Sequence, residues 1–454
     1  MTRVEAQGEV LVVGFGLLGA IVARRLAEAG RRVAIVERGR PVTTPPGSHI
    51  RNTPEGRRNP DGHFPAVDGY SDFLHPDASP SGLPGAFTTS IMGGAGILWT
   101  NNCPRAVAGV DLPDAIPERE WHAAYSEAEG YLGVRSDEFT DSARGMAIVE
   151  RLTRVLRSEG REIGPLPLSG ARRAPEGIDF MAPADILAGG PEVRVVAGDV
   201  ERVLVDDGRA VGVRLDGAEV RAEEVVLAAG AVDLPRLLWA SGIRPAALGR
   251  HLSFHPVLIG QVVLDPPPMR ANRDPDPLPR LGIPPTPERP WFVMVLRDTC
   301  PLEPRPPDRE ISADRLVEIQ AFCPIDPHPD NRMSFAETGE IAFDVPLREG
   351  DRRRMEAIER DVEAIASRLG RFRAGCGPVW APFGTPHLVG SVRMGSSADD
   401  ARVADTWGRV VGVYGLSLAT NGLIPSRLAV NPSLTAAALA VRTADRIVAA
   451  SPGP

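Results

Sequence analysis

A glycine-rich turn near the beginning of the chain has the spacing that binds the pyrophosphate of a dinucleotide. Gly14, Gly16 and Gly19 form a GxGxxG pattern directly after the apolar run EVLVV. The first glycine of this pattern permits a tight turn, the second lets the backbone approach the pyrophosphate, and the third allows close packing of a helix on a strand. The N-terminus of that helix faces the phosphate charge. The alternative is a glycine-rich strand-to-helix turn without a ligand.

An acidic residue follows this turn at the expected distance. Glu37 lies about twenty residues further on, where a carboxylate accepts hydrogen bonds from ribose hydroxyls. A carboxylate at this position argues against a 2′-phosphate. The residues therefore favour FAD or NAD over NADP.

The elements that must position the turn form one βαβ unit. Residues 9–14 are a short apolar run typical of a buried parallel strand, and residues 15–30 have apolar positions at helical spacing. Residues 31–39 form a second buried strand by the same criteria. Later in the chain, residues 191–231 predict β-hairpins with Asp-Gly turns at 207–208 and 216–217, followed by the buried strand VVLAAG.

The rest of the chain mixes helices, strands and long loops. A loop rich in Pro, Gly and Asp is predicted from Pro41 to Phe87, and alternating runs within 255–345 predict strands. The segment 265–290 holds ten prolines, so we expect a surface loop that joins no central strand. Helical patterns occupy 117–130, 141–159, 233–241, 350–370 and the C-terminal segment from Asn431.

Composition excludes several reaction classes. All 51 basic residues are arginine, against 59 acidic residues, and the net charge is −8. A Walker-A loop requires a lysine at the phosphates, and Schiff-base chemistry requires a lysine amine. The acidic balance without a basic patch argues against nucleic acid and against an anionic membrane surface.

Other features point to a protein without metal, disulfide or membrane span. The cysteines at 103, 300, 323 and 376 form no CxxC pair, and the histidines form no HExxH pair. The N-terminus has no apolar signal core, and no apolar run reaches 18 residues. We therefore expect a cytoplasmic protein.

Six motifs together resemble the glucose–methanol–choline (GMC) family of FAD enzymes, which oxidise alcohols. The N-terminal fingerprint and the MGG segment are followed in the same order by four further motifs: VVLAAGAVDLPRLLWASG (225–242), GRHLSFHP (249–256), HLVGSVRMG (387–395) and NPSLTAAALAVRTADRI (431–447). Within the family, GGAGILWTNNCPR (93–105) and LATNGLIPSRLAVNPSLT (418–435) look most like the pyranose oxidase and C-glycoside oxidase branch. The resemblance is weak at 106–184 and 257–380.

The resemblance implies that His387 and Asn431 form a pair beside the flavin. Alcohol oxidation removes a hydroxyl proton and passes a hydride to flavin N5, and a neutral imidazole is a suitable base at neutral pH. An asparagine amide can both donate and accept a hydrogen bond, and so can hold the same hydroxyl. The alternatives are a structural role for His387 and a helix N-cap role for Asn431, with Pro432 at the first helical position.

The fingerprint and the resemblance together predict the residues that bind the cofactor. They are Gly14, Gly16, Leu18, Gly19, Glu37, Arg38, Gly93, Gly94, Gly96, Leu98, Trp99, Thr100, Asn101, Val200, Ala229, Gly230, Asn421, Gly422, Pro432 and Ser433. Some pyranose oxidases attach FAD through a histidine in the segment that matches GILWT. Leu98 occupies this segment here, and leucine has no nucleophilic atom, so we expect non-covalent FAD.

These observations predict an α/β fold of two domains (α+β in overall composition). A Rossmann-like FAD-binding domain comprises 1–105, 185–254 and 381–454. A sheet-rich substrate-binding domain is inserted at 255–380, and 106–184 is predicted to be a helical segment.

The predicted reaction is oxidation of a secondary hydroxyl of a sugar or glycoside to a keto-sugar. O₂ or another acceptor would reoxidise the flavin, and we expect a monomer or small homo-oligomer. The alternatives are oxidation of a non-sugar alcohol, such as a sterol or natural-product intermediate, and a flavin-binding protein without turnover.

Overall fold

The structure is a computed structural model that describes residues 9–58, 70–138, 140–173, 177–268, 279–296, 311, 315–396 and 401–450. Its helices are α1 (Leu17–Glu28), α2 (Pro54–Arg58), α3 (Glu118–Leu132), α4 (Ala143–Ser158), α5 (Pro183–Ala188), α6 (Gly230–Ala240), α7 (Glu349–Leu369) and α8 (Pro432–Ala450).

The strands in the first half of the chain are β1 (Val10–Val13), β2 (Val33–Glu37), β3 (Asp72–Phe73), β4 (Phe87–Thr88), β5 (Val134–Arg135), β6 (Gly164–Pro165), β7 (Leu168–Arg173), β8 (Gly177–Phe180), β9 (Arg194–Ala197), β10 (Val200–Asp206), β11 (Arg209–Leu215), β12 (Ala218–Arg221) and β13 (Glu224–Leu227). Those in the second half are β14 (Val257–Leu264), β15 (Leu281–Ile283), β16 (Phe292–Leu296), β17 (Leu316–Phe322), β18 (Arg332–Phe335), β19 (Ile341–Asp344), β20 (Gly370–Phe372), β21 (Val379–Trp380) and β22 (Leu416–Leu418).

A five-stranded parallel sheet is assembled from distant parts of the chain. Its order is β22-β13-β1-β2-β9, and all four pairings are parallel. Helix α1 contacts β1 and β2 and packs against α8, which also packs against α3. Strands covered on both faces have continuous apolar sequences, as VLVV in β1 and VVL in β13 do. The predicted α/β fold with a Rossmann-like domain is confirmed, while the predicted domain boundaries stay a prediction.

A seven-stranded antiparallel sheet forms the second layer. Its main order is β20-β14-β17-β16-β15-β6, and β21 pairs with β14. One face packs against α7 through residues such as Leu258 and Ile319. The opposite face carries Phe292, Met294 and Phe322, which join the apolar core of the parallel sheet. The antiparallel sheet therefore turns one face towards the elements of the parallel sheet.

The structure corrects three predictions. Leu281–Ile283 lies in the proline-rich segment, yet it is a strand between β16 and β6, because these three residues contain no proline and keep their N–H groups for pairing. Residues 194–197 are a parallel edge strand rather than a hairpin arm, although the two Asp-Gly hairpin turns are confirmed between β10, β11 and β12. The segment 106–184 contains β5 to β8 as well as helices, and these short strands lack an alternating pattern. Residues 269–278 of the proline-rich segment lie outside the described part of the chain.

Two other sequence features have a place in the described chain. Cys103, Cys323 and Cys376 are buried free thiols, whereas Cys300 lies outside the described residues. Within the described ranges, no helix combines the length and the apolar character needed to cross a bilayer.

Close packing of α1 on the parallel sheet depends on Gly14 and Gly19. Gly14 has a φ of +106°, in the region that favours glycine. A Cβ on Gly19 would lie 2.0 Å from the carbonyl oxygen of Gly14, a backbone atom that cannot move aside. The turn after β1 and the start of α1 therefore touch through these two glycines.

Gly19→Ala is expected to lower the free energy of unfolding by about 1–3 kcal/mol, because the added methyl group pushes α1 away from the turn after β1. Gly130→Ala is the matched control, since a Cβ there meets nothing within 4 Å and Gly130 lies inside α3. The control should be neutral or stabilising, by up to about 1 kcal/mol. Denaturant unfolding measures both variants, and equal stability of the two would contradict this account.

Candidate active site

The sequence-predicted cofactor residues gather at one edge of the parallel sheet. Carboxyl ends of parallel strands lie on the same side of a sheet, and ligands bind there in open α/β folds. The predicted residues that follow these ends are Gly14 and Gly16 after β1, Glu37 and Arg38 at the end of β2, Val200 after β9, Ala229 and Gly230 after β13, and Asn421 and Gly422 after β22. All five strands thus contribute to a single edge.

Gly16 leaves open space at the N-terminus of α1. Its φ is −82°, which other residues adopt freely, and a Cβ on Gly16 would meet nothing within 4 Å. No side chain caps the helix at Gly16, and Leu18 lies in its first turn. The amides of this turn and the positive end of the helix therefore face space that a pyrophosphate can occupy. Backbone strain does not explain the glycine, and the open space beside it allows the approach of a ligand.

The Glu37 carboxylate holds the glycine turn to the end of β2. It accepts a hydrogen bond from the Phe15 N–H at 2.6 Å and another from the Gly39 N–H at 2.5 Å. Each carboxylate oxygen keeps a second acceptor position, which leaves the predicted ribose contact open. Arg38 pairs with Asp233 in the first turn of α6, at 2.6 Å.

The MGG segment lies against the beginning of α1. Gly93 and Gly94 have φ values of +95° and +54°, and a one-turn 3₁₀ helix spans Gly94–Ile97. A Cβ on Gly96 would lie 2.9 Å from Cγ of Leu17, the first residue of α1. This contact places the segment beside the same glycine turn, as the prediction of cofactor residues requires.

The residues that follow are held by hydrogen bonds to a neighbouring loop. The Trp99 Nε1–H and the Asn101 amide both donate to the carbonyl of Met181, each at 2.9 Å. Asn101 has a φ of +60° and is fully buried. Leu98 and Thr100 are only partly buried. The segment therefore has a fixed backbone, and Leu98 and Thr100 retain accessible surface.

His387 lies on a loop fixed from both sides. Val389 exchanges two backbone hydrogen bonds with Ser253, at 2.8 and 3.1 Å. On the other side, the Asn421 side-chain amide donates to the carbonyl of Leu388 at 2.8 Å. The loop that bears His387 is thereby joined to the segment before β14 and to the segment after β22.

His255 contacts His387 directly. The Nε2 atom of His255 is hydrogen-bonded to Nδ1 of His387, and the Nδ1–H of His255 donates to the carbonyl of Leu428 at 3.1 Å. The His255 ring stacks on Phe322, with centroids 4.2 Å apart and planes at 8°. Burial lowers the pKa of His255 to about 4. Burial, with the adjacent His255, lowers the pKa of His387 well below 6.5. Both rings are therefore neutral at pH 7.

Sequence reasoning missed His255. The residue belongs to the GRHLSFHP motif, but no role followed from the motif. Two signals were available: a histidine directly before an apolar strand, and the four-residue interval between His251 and His255. Neither signal identifies His387 as the contact, since that residue is 132 positions further on.

Asn431 presents an unsatisfied amide. Its side chain is 4% exposed, and no described group hydrogen-bonds its Oδ1 atom. An N-cap side chain would accept from an N–H of the first helical turn. The side chain of Asn431 therefore does not cap α8, which begins at Pro432 and continues with the partly buried Ser433. A buried oxygen without a partner costs about 1–3 kcal/mol, which a bound hydroxyl or cofactor group would remove.

Asp111 fixes the loop that precedes Asn431. Its carboxylate accepts from the Val107 N–H at 2.6 Å and from the Ala429 N–H at 2.9 Å. Burial raises the pKa of Asp111 to about 6. The loop carrying the Leu428 carbonyl and Asn431 is thus held by Asp111 as well as by His255.

These observations fit FAD. The space at Gly16 suits a pyrophosphate, and the unsatisfied oxygen of Asn431 suits a polar group brought by the cofactor or substrate. Among the described residues, no group of three or more His, Cys, Asp or Glu could hold a metal ion. The fold and the site define a dinucleotide-dependent oxidoreductase, with a neutral imidazole and an amide at the carboxyl edge of its sheet.

Comparison with known proteins identifies the family within this class. Two models described as GMC oxidoreductase match residues 192–257 and 327–440. A C-glycoside 3-oxidase of Microbacterium trichothecenolyticum is 31% identical over 98% of both chains. A pyranose 2-oxidase of Tricholoma matsutake is 28% identical over 81% of this chain and 74% of its own. The solved structure of a formate oxidase shares the fold, with a TM-score of 0.70, 15% identity, and coverage of 97% of this chain and 98% of its own.

This chain belongs to the GMC oxidoreductase family and is an FAD-dependent oxidoreductase. The resemblance inferred from the sequence motifs is confirmed. The roles assigned to individual residues stay predictions.

Gly16→Ala is expected to weaken FAD binding at least about tenfold, because the methyl group enters the cofactor space and clashes with no protein atom. The poorer N-cap should lower the stability of the apoprotein by only about 1 kcal/mol. Fluorescence titration of the apoprotein with FAD measures the affinity. Gly130→Ala serves as the control and should bind FAD like the wild type. Unchanged FAD affinity in Gly16→Ala would show that this space is not used.

Proposed function

We propose that this protein oxidises a secondary hydroxyl group of a sugar or glycoside to a ketone, with His387 as the base and Asn431 as its partner. The observation that carries the proposal is the neutral, partly buried His387, linked through His255 to the loop of Asn431, whose amide oxygen lacks a partner. An alcohol hydroxyl can donate to one of these groups and accept from the other.

FAD would be held at the carboxyl edge of the parallel sheet by the glycine turn, Glu37 and the segment 93–101. When bound, FAD supplies the acceptor for the hydride that leaves the alcohol carbon. The N-terminus of α8 lies next to Asn431 and contributes positive potential to the same region.

The residues of the chain handle the hydroxyl proton. His387 takes this proton, and the Asn431 amide N–H donates to the alcohol oxygen and orients it. The Oδ1 atom of Asn431 then remains an acceptor for a second donor, such as a neighbouring substrate hydroxyl or a cofactor N–H. The low pKa of His387 keeps the ring unprotonated and able to accept a proton at neutral pH. General-base assistance of this type is worth about 10²–10⁴ in rate.

The face of the antiparallel sheet that carries Phe322 supports a hydroxyl-rich substrate. Side chains alternate along a strand, so Glu318, Gln320 and Phe322 lie on one face of β17, and Gln261 lies opposite Glu318 on β14. Glu318, Gln320 and Gln261 are all buried. Two amides and one carboxyl group on the face that carries Phe322, whose ring stacks on His255, suit sugar hydroxyls better than an apolar sterol.

The names of two relatives support the same substrate class. C-glycoside 3-oxidase and pyranose 2-oxidase are similar to this chain over most of its length. We extend a sugar or glycoside substrate, and O₂ as electron acceptor, to this chain on that basis. A monomer or small homo-oligomer in the cytoplasm stays part of the proposal.

Anaerobic mixing with free sugars, O-glycosides, C-glycosides and a sterol tests the proposed reaction. We expect at least one sugar or glycoside to bleach the flavin of the purified holoprotein. His387→Ala should slow this reduction by about 10²–10⁴-fold and leave the bound-flavin spectrum unchanged. His122→Ala is the control, since the His122 side chain is 65% exposed on α3 and should be dispensable. A flavin that stays oxidised with every sugar and glycoside would refute the proposed substrate class.

Acid precipitation tests the mode of flavin attachment. Leu98 occupies the position where covalent attachment would require a histidine, so all yellow colour should remain in the supernatant after denaturation. Leu98→His is a second variant for this test, because it places a nucleophilic imidazole ring at that position. Flavin that stays in the wild-type pellet would mean that another residue forms a covalent bond.

A further inference from the structure

The contact between His255 and His387 determines where each ring carries its proton. A carbonyl oxygen can only accept, so the hydrogen bond from His255 to Leu428 requires a proton on Nδ1 of His255. A neutral imidazole carries one proton, and Nε2 of His255 is therefore an acceptor. Since Nε2 of His255 bonds Nδ1 of His387, the proton in that bond belongs to His387.

The same count of protons determines the protonation state of the other ring nitrogen of His387. With its one proton on Nδ1, neutral His387 has an unprotonated Nε2 atom, which no described residue hydrogen-bonds. Which nitrogen of a histidine is protonated is generally set by the hydrogen bond that the other nitrogen makes. A histidine with Nε2–H would present a donor, rather than a base, to a substrate hydroxyl.

We propose that His255 is a positioning residue that holds His387 in the Nδ1–H tautomer and so keeps its Nε2 atom available as the base; this inference rests on the proposed function. The chain of donors runs from His387 through His255 to the Leu428 carbonyl. The stack of His255 on Phe322 fixes the plane of the His255 ring, and with it the directions of the hydrogen bonds to Leu428 and His387.

With the proposed tautomer, each proton in the transfer step can be accounted for. The substrate O–H bond breaks, a bond between hydrogen and Nε2 of His387 forms, and the proton on Nδ1 stays where it is. The resulting imidazolium still donates to Nε2 of His255. The hydride from the alcohol carbon would go to the flavin of the proposed reaction, and no proton needs to leave the histidine pair before the ketone forms.

A neutral orienting partner suits this site better than a carboxylate. A buried carboxylate next to His387 would stabilise the imidazolium and raise the pKa of the ring, which would lower the unprotonated fraction near neutral pH. His255 is itself uncharged at pH 7 and lowers the pKa of His387. It can therefore fix the tautomer while His387 stays unprotonated.

Nuclear magnetic resonance tests the tautomer without any substrate. Long-range ¹H–¹⁵N correlation spectra of the holoprotein labelled with [¹⁵N]histidine distinguish Nδ1–H from Nε2–H rings, and the His387 signals are those that disappear in His387→Ala. We expect the Nδ1–H form for both His387 and His255 at pH 7. An Nε2–H form for His387 would overturn the proposal. This result is independent of whether any sugar reduces the flavin.

Two variants separate the two hydrogen bonds of His255. Glutamine places an oxygen near the position of Nε2 and can accept from His387, whereas asparagine reaches only the position of Nδ1 and keeps the bond to Leu428. With a substrate found in the anaerobic panel, His255→Gln should retain the limiting rate of flavin reduction within about fivefold. His255→Asn should lower it on the order of 10²-fold, the lower bound for loss of general-base help, with little change in substrate affinity.

The same variants provide a check by spectroscopy. His387 should keep the Nδ1–H form in His255→Gln and lose it in His255→Asn. Thermal unfolding establishes that each variant is folded. Equal reduction rates in the two variants, with the His387 tautomer unchanged in both, would assign His255 a purely structural role.

Discussion

The rings of His255 and His387 lie against each other, and among the described residues no carboxylate acts on either ring to stabilise a positive charge. Removal of a cation from water without a compensating partner is costly, so both rings stay neutral. The proposed chemistry depends on this neutrality, because a protonated imidazole cannot accept a hydroxyl proton. Removal from water therefore also sets the protonation state of His387, the proposed base. The fold must supply enough apolar cover for two histidines, and Phe322 provides part of it.

This requirement explains why the site is assembled from distant segments. The parallel sheet brings its strand ends to one edge, but the loops that follow β22 and precede β14 need separate anchors. Asp111 holds the loop before Asn431 through two backbone amides, and Ser253 pairs with the backbone beside His387. Both anchors hold backbone groups at the site, and the Asp111 carboxyl group has no effect on the pKa of either imidazole. Phe322, on the antiparallel sheet, then contacts both rings.

Much of the scaffold could be predicted from local patterns. The βαβ unit, the Asp-Gly turns and the strand Leu316–Phe322 follow from period and turn chemistry, which depend on neighbouring residues. Gly14, Gly16 and Gly19 have the conformation and packing that the fingerprint implies. The strand at 281–283 was missed because its pairing partners, β16 and β6, define it, while its own sequence indicates a loop. The His255–His387 contact could not be predicted, as it depends on a tertiary approach and on the chemistry of two single side chains.

The absence of lysine limits which side chains could act as a base in this site. A chain without lysine has no amine side chain to act as base, and arginine remains protonated under all relevant conditions. Among nitrogen side chains, a neutral base near pH 7 must therefore be a histidine. His49 and His255 each use both ring nitrogens in hydrogen bonds to the protein. His387 uses only Nδ1 in such a bond within the described structure, so the Nε2 atom of this partly buried, neutral ring is available. This difference in hydrogen bonding separates His387, the proposed base, from His49 and His255, both of which are buried.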